Sequence, residues 1–288
     1  MQYACILAEF FGESMLPVIQ IGSLSFYTFG LLFGVALCVG TYTFLRYFRE
    51  HGLAVDAPIL TVMLIGCGFA GAKLDNAWVI GMHVLHGHPF SGSMAGFFAG
   101  GYTYLGCLLG GSMGAALYVA WARLPWLRTF DAMFCIAPAY ALGRVGCFLA
   151  GDGDYGTPST LPWAVAFPHG LVPTAVRVHP TMLYSSVWEL TVFLVLWRLS
   201  QRQWQPAGRL LALYLIATGT GRFLVEGLSR NPVLALHGTE AQWVSLGCIG
   251  AGTGLLVCRR GLLAGRPAAL AIVSRSKLAD PVSRARAV

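Results

Sequence analysis

The segment RLLALYLIATGTGRFLVEGL, residues 209–228, decides how the rest of the chain is read. It is apolar and of the ~20-residue length that carries a helix across a bilayer. Yet it holds Arg222 and Glu226. Arg222 lies 13 residues into it, ~20 Å along a helix, in the second half of a crossing. A charge at that depth costs at least ~2.5–3.5 kcal/mol on insertion scales and is rarely idle. Arg222 and Glu226 are four residues apart, so they share a helix face and pair, which makes their burial tolerable.

Six further stretches have the same character, near 24–46, 58–82, 97–120, 131–150, 181–199 and 241–258. The chain is 56% hydrophobic and only 11% charged over 288 residues, too few charges for a soluble protein of this size. The expected fold is all-α, a polytopic membrane protein with about seven transmembrane helices. One membrane domain covers 1–262, with an outer-face arm at 151–180, and a basic cytoplasmic tail covers 263–288. Met1–Gln20 lacks a basic start and carries Glu9 and Glu13, so it does not read as a signal peptide.

The net charge of +7 is less informative than its placement. Arg46 and Arg49, Arg123 and Arg128, Arg198, Arg202 and Arg209, and the basic residues from Arg259 to Arg286 fall on one side of the spans. The other side has only Arg177 and Arg230. The positive-inside rule then puts the N-terminus outside and the C-terminus in the cytoplasm. Basic residues that flank spans, rather than cluster on a wet surface, argue against a nucleic-acid partner. The tail suits anionic membrane lipid.

Two other cations lie inside spans at a similar depth, Lys73 and Arg144. Lys73 either snorkels to the outer head groups or joins the arginines. Converging buried cations suggest an anion site, and a lipid phosphate is the commonest anion in a membrane. Span four ends in Gly143-Arg144-Val145-Gly146-Cys147-Phe148-Leu149-Ala150-Gly151-Asp152-Gly153-Asp154-Tyr155-Gly156. Gly146 and Gly151 allow close backbone approach and leave N–H groups for a ligand. Trp163 and Phe167 suit an arm lying on the membrane. Pro180 suits the first turn of span five, which sets His179 at the membrane mouth and Tyr184 in the outer leaflet. Glu189, one turn deeper, needs a partner or a proton. Arg230 follows the span-six motif. Span three opens with Gly100-Gly101-Tyr102-Thr103-Tyr104-Leu105, where Tyr104 is either an interface anchor or a substrate contact. His83, His86 and His88 read as loop residues and the cysteines show no ligand spacing, so no metal site is expected.

The Gly-Arg-x-Gly-x-Phe motif at Arg144, His179-Pro180-x-x-Leu183-Tyr184, Gly221-Arg222-Phe223-x-Val225-Glu226 and the Gly-Gly opening of span three, in this order, resemble prolipoprotein diacylglyceryl transferase. The likeness covers about Leu24 to Cys258. It implies seven helices with the N-terminus outside. It also implies transfer of the diacylglyceryl group of phosphatidylglycerol to the lipobox cysteine thiol of a prolipoprotein, with glycerol phosphate leaving and no cofactor. By position, Arg144 and Arg222 would hold the lipid phosphate, Glu226 would support Arg222, and His179 and Tyr184 would line the site. The chain departs from the pattern at Cys147 and Ala150, commonly Asn in the family, at Asp152, commonly Glu, at Leu105 for a His and at Phe29 for a Tyr.

The chemistry makes its own demands. Two arginines in a dry site stabilise the charge on a leaving phosphate. The attacking thiol must lose a proton, to Asp152, Asp154 or His179, of which His179 has the ordinary pKa nearest neutrality. A lipid-dependent transferase with a sugar or hydroxyl acceptor, and a small-solute or lipid transporter, are the rival readings.

Overall fold

The computed structural model describes residues 18–21, 24–53, 55–85, 104–202, 205–231 and 238–264. Strands β1 (Val18–Ile21) and β2 (Leu24–Tyr27) form an antiparallel pair. Helices α1 (Thr28–Glu50), α2 (Ala57–Leu85), α3 (Tyr104–Trp121) and the short α4 (Trp126–Phe130) follow. A 3₁₀ turn (Asp131–Ile136) leads into α5 (Ala137–Ala150). Strands β3 (Val165–Phe167) and β4 (Thr174–Val178) precede α6 (Thr181–Ser200), α7 (Arg209–Glu226) and α8 (Glu240–Ala264).

Helices thus occur at each of the seven expected places. Among the described residues, five segments are long and apolar enough to cross a membrane: Thr28–Glu50, Pro58–Met82, Trp126–Ala150, Thr181–Ser200 and Glu240–Cys258. The protein is a multi-pass, mainly helical membrane protein. The first helix begins at Thr28 rather than residue 24, because Leu24–Tyr27 pairs as a strand. The start of the third expected span, the histidines at 86 and 88, and residues 265–288 of the tail lie outside the described residues.

The chain divides into two compact units. One comprises Leu37–Cys135. Its α2 and α3 meet along a seam of glycines. A β-carbon on Gly71 would stand 2.2 Å from the Gly106 carbonyl oxygen, and one on Gly110 2.1 Å from that of Cys67. Helices in lipid gain little from hydrophobicity and associate through such close backbone contact. Gly110→Leu is therefore expected to destabilise the protein by ~3 kcal/mol through overpacking. Gly66→Leu, where a β-carbon would meet nothing within 4 Å, should be neutral. Equal unfolding midpoints for the two variants in detergent would sink the seam.

The other unit comprises Met1–Ala36 and Ile136–Val288. Here α6 packs between α5 and α7, and α7 also packs on α8. The contacts are again tight. A β-carbon on Gly221 would fall 2.1 Å from Trp188 Nε1, which donates to the Ala217 carbonyl at 2.9 Å. The 151–180 arm adds a small β element to the mainly helical chain. It folds as the antiparallel β3–β4 pair over a small core of Phe148, Tyr155, Val165, Phe167, Val178 and Met182. Phe167 is wholly buried there, stacked on Tyr155 at 5.0 Å between ring centres, so it is not a membrane anchor. Trp163 keeps an exposed ring. Phe167 turns inward because it alternates with Ala166 on a strand whose inner face has an apolar core to cover.

Candidate active site

The end of α5 is shaped by Gly151. It adopts the left-handed conformation (φ 59°, ψ 48°), and its N–H turns back to the carbonyls of Cys147 and Phe148. This is the standard way to stop a helix, and glycine takes that conformation without a Cβ penalty. It also corrects one expectation. The Gly151 N–H is used by the cap and so is not left for a ligand, and its carbonyl accepts from Val172 of the arm at 2.9 Å. Gly146 packs against Phe29 and Leu32 of α1. Phe29 therefore packs on the Gly146 face of α5.

The turn sends Asp154 back over Arg144. Arg144 Nη1 donates to Asp154 Oδ2 at 2.5 Å and approaches Cys147 Sγ at 3.8 Å. The Arg144 side chain is 11% exposed and that of Asp154 54%, so a buried guanidinium reaches a carboxylate at the edge of water. Arg144 Nε is buried and has no partner among the described residues. The sequence offered both carboxylates, beside His179, as candidate proton acceptors. Gly153, at φ 98°, turns the chain so that Asp154 takes the arginine.

Asp152 instead accepts the Asp154 backbone N–H at 3.2 Å and lies against the Cys147 thiol. Burial lifts the Asp152 carboxyl above its ordinary range and the Asp154 charge adds to this, while Cys147 and Arg144 pull it down. A carboxyl raised in the folded state contributes stability below its unfolded pKa and loses it as pH rises through the folded value. Asp152→Asn, which keeps the turn bond, should therefore raise the melting temperature at pH 7, and the gain should fade as pH falls towards the ordinary carboxylate range. A gain of the same size at both ends of the titration would contradict the burial account.

On α7, Arg222 Nη2 pairs with Glu226 Oε2 at 2.9 Å. Glu226 is fully buried, whereas Arg222 is 34% exposed. Asn231 Nδ2 donates to the other Glu226 oxygen at 2.7 Å. Asn231 is a residue that sequence reasoning missed; only the turn after α7 brings it back. Glu226 thus orients the Arg222 guanidinium, which stays part-exposed.

Tyr140 was also missed. It stands one turn before Arg144 on α5, within electrostatic reach of Arg144, Arg222 and Glu189. Its signal in the sequence was the i,i+4 spacing to Arg144. Glu189 on α6 accepts a hydrogen bond from Thr218 of α7 through Oε1, and its buried Oε2 has no partner among the described residues.

The loop after α5 is sewn to the start of α6 and the end of α7. Gly156 N donates to the His179 carbonyl and Thr157 N to that of Leu228, both at 2.8 Å. Gly156 is required there, since a β-carbon would stand 2.5 Å from the Leu228 oxygen. Pro180 is the residue just before α6. His179 Nδ1 lies 3.3 Å from the Tyr184 hydroxyl, which accepts from Trp163 Nε1 at 2.7 Å. Arg230 lies over the Tyr155 ring, 5.3 Å from its centre, on the arm. Lys73 is half-buried on α2, in the other unit. Tyr104 begins α3, and its side chain and that of Leu105 lie outside the described residues.

Beside Tyr184 opens an almost wholly apolar cavity of about 900 Å³. Trp163 and Val165 of the arm, Phe148, and one face of α6 between Leu183 and Leu199 line it, with Leu213, Ile216 and Ala217 of α7 opposite. From Tyr184 to Leu199 it follows α6 for ~22 Å, longer than the ~15 Å hydrocarbon depth of one leaflet. A polar mouth above an apolar groove fits a phospholipid.

The family model of prolipoprotein diacylglyceryl transferase matches residues 17–258. A phosphatidylglycerol–prolipoprotein diacylglyceryl transferase of Symbiobacterium thermophilum is 31% identical over 222 residues, which cover 74% of this chain and 80% of that protein. The one of Thermosynechococcus vestitus is 30% identical over 247 residues, 82% and 89% of the two chains. That of Synechococcus elongatus is 30% identical over 273 residues, 91% and 93%. On a match that spans both the arginine-bearing helices and the arm between them, the chain belongs to the prolipoprotein diacylglyceryl transferase family.

Proposed function

We propose that this protein moves the diacylglyceryl group of phosphatidylglycerol onto the cysteine thiol of a prolipoprotein lipobox and releases glycerol phosphate. The observation that carries it is a buried arginine, Arg144, whose Nε has no partner among the described residues, with Tyr140 within electrostatic reach of it and of Arg222, in a unit that also holds a long apolar groove. In this reading the phosphate sits between the two guanidiniums. Arg144 gives up Asp154 to bind it, and Arg222 stays oriented by Glu226. The acyl chains lie along α6 and α7 in the groove. His179 and Tyr184 line the mouth where the peptide arrives, and Asp152 holds the turn that carries Asp154.

Nothing in this scheme needs a metal or a soluble cofactor. The thiolate displaces phosphate at a glycerol carbon, and the charge that grows on the leaving oxygen meets two preorganised cations, the kind of stabilisation that contributes most in a dry site. The charge placement supports seven crossings with the N-terminus outside and a cytoplasmic C-terminus, in the inner membrane of a bacterium. That orientation puts the mouth on the outer face, where secreted preproteins emerge.

The test supplies phosphatidylglycerol labelled in its acyl chains, together with a lipobox peptide, to the purified protein in vesicles. Label on the peptide cysteine with glycerol phosphate released is the expected result. Label on an added sugar or hydroxyl compound, or lipid movement without glycerol phosphate, would replace this reading with another.

A further inference from the structure

One buried acid is not used by the scheme above. Glu189 is 5% exposed, in the middle of an apolar membrane helix. An unpaired carboxyl at that depth is costly, and buried polar groups of this kind are normally fully hydrogen-bonded. Thr218 satisfies Oε1, and Oε2 has no partner among the described residues. A group kept at this expense, with one buried oxygen unpartnered among the described residues and a clamp on the other, has a free acceptor site for a hydrogen.

Its level in the membrane says which hydrogen. Tyr140 precedes Arg144 by four residues and Thr218 precedes Arg222 by four, so both lie one turn, ~6 Å, towards the start of α5 and α7. The ends of α5 and α7 meet the start of α6 at the Gly156–His179 and Thr157–Leu228 bonds, so α6 runs opposite to both. Ser186 Oγ, donating to the Ala141 carbonyl at 2.9 Å, fixes α6 against α5 beside Tyr140. Glu189 is one turn further along α6 and is tied to Thr218. It therefore lies deeper than the phosphate-binding arginines.

Displacement at a carbon proceeds in line. The nucleophile arrives on the side of the carbon opposite the leaving oxygen. With phosphate held at the Arg144–Arg222 level and acyl chains running inward, the attacking sulfur belongs on the inner side. His179 is at the other end, by the mouth.

We propose that Glu189 takes the proton of the acceptor cysteine thiol, with Thr218 as its positioning residue. This rests on the diacylglyceryl-transfer reading. Oε2 accepts the S–H proton. The sulfur electron pair forms the C–S bond to the glycerol methylene, and the C–O bond to phosphate breaks with its pair on the phosphate oxygen. The proton then passes from Glu189 to the departing glycerol phosphate, so charge and atoms balance. Among the described residues, Tyr140 of α5 is the titratable group within electrostatic reach of Glu189, and it is in turn within reach of Arg144 of α5 and Arg222 of α7; in this scheme both arginines are engaged by the phosphate.

The test measures transfer to a lipobox peptide across pH 6–9.5 in phosphatidylglycerol vesicles, for wild type, Glu189→Gln and Thr218→Val. General-base removal typically lowers a rate by 10²–10⁴-fold, so Glu189→Gln should lose about 100-fold in kcat at pH 7 with KM for the lipid within about threefold. Its residual rate should climb about tenfold per pH unit towards the thiol's own pKa, because preformed thiolate bypasses the missing base. Thr218→Val should show the same pH shape with a loss of about tenfold, and it reports on the proposal should Glu189→Gln fail to fold. A kcat unchanged in Glu189→Gln, or a loss equal at every pH in both variants, overturns the role of Glu189. A wild-type protein that never labels the peptide overturns the transfer reading itself.

Discussion

Arg144→Ala is expected to lower diacylglyceryl transfer by at least about 100-fold, the loss seen when one donor to a developing oxyanion is removed. The protein should still fold. Asp154, its partner, is 54% exposed and returns to water when the arginine goes, so little stability is at stake. Arg144→Lys should be nearly as inactive, because a single ammonium cannot replace a planar fork that has both an Asp154 bond and an Nε with no partner among the described residues. Initial rates with labelled phosphatidylglycerol, alongside a melting curve, check both statements. An alanine variant that keeps a tenth of the wild-type rate would remove Arg144 from the phosphate.

Arg222→Ala should behave differently although it carries the same charge. Its partner Glu226 is fully buried. Removing one member of a buried pair leaves the other uncompensated and costs ~3–5 kcal/mol. The single variant should therefore lose both transfer and stability. Adding Glu226→Gln removes the stranded charge and keeps an acceptor for Asn231. The double variant should regain most of the stability and none of the activity. Recovery of transfer in the double variant would show that Arg222 serves the fold alone, and no loss of stability in the single one would show that Glu226 is not held by it.

The contrast between these arginines is where the sequence stopped short. Both were legible as cations inside spans, and Glu226 as the i+4 partner of Arg222. The partner of Arg144 was not, because it lies ten residues on, across a turn whose direction depends on Gly151 and Gly153 having positive φ. Tyr140 looked like one more aromatic in an apolar helix, and Asn231 like a polar residue after a helix. Their importance comes from neighbours contributed by other helices. Phe167 failed in the opposite way: read as a surface aromatic, it closes a core that only the folded arm creates.

The sequence by itself determined that this is a multi-pass helical membrane protein with cations buried in its spans. Hydropathy and charge are summed along single helices, and the bilayer penalty acts on each one before it meets a neighbour. Which carboxylate holds Arg144, why Glu189 has one oxygen satisfied and one open, and where an apolar groove runs beneath the mouth were decided by tertiary structure. Hydrogen bonds between α5, α6 and α7 depend on rotation and depth fixed by close contacts such as Trp188 on Gly221, and no pattern within one helix specifies those.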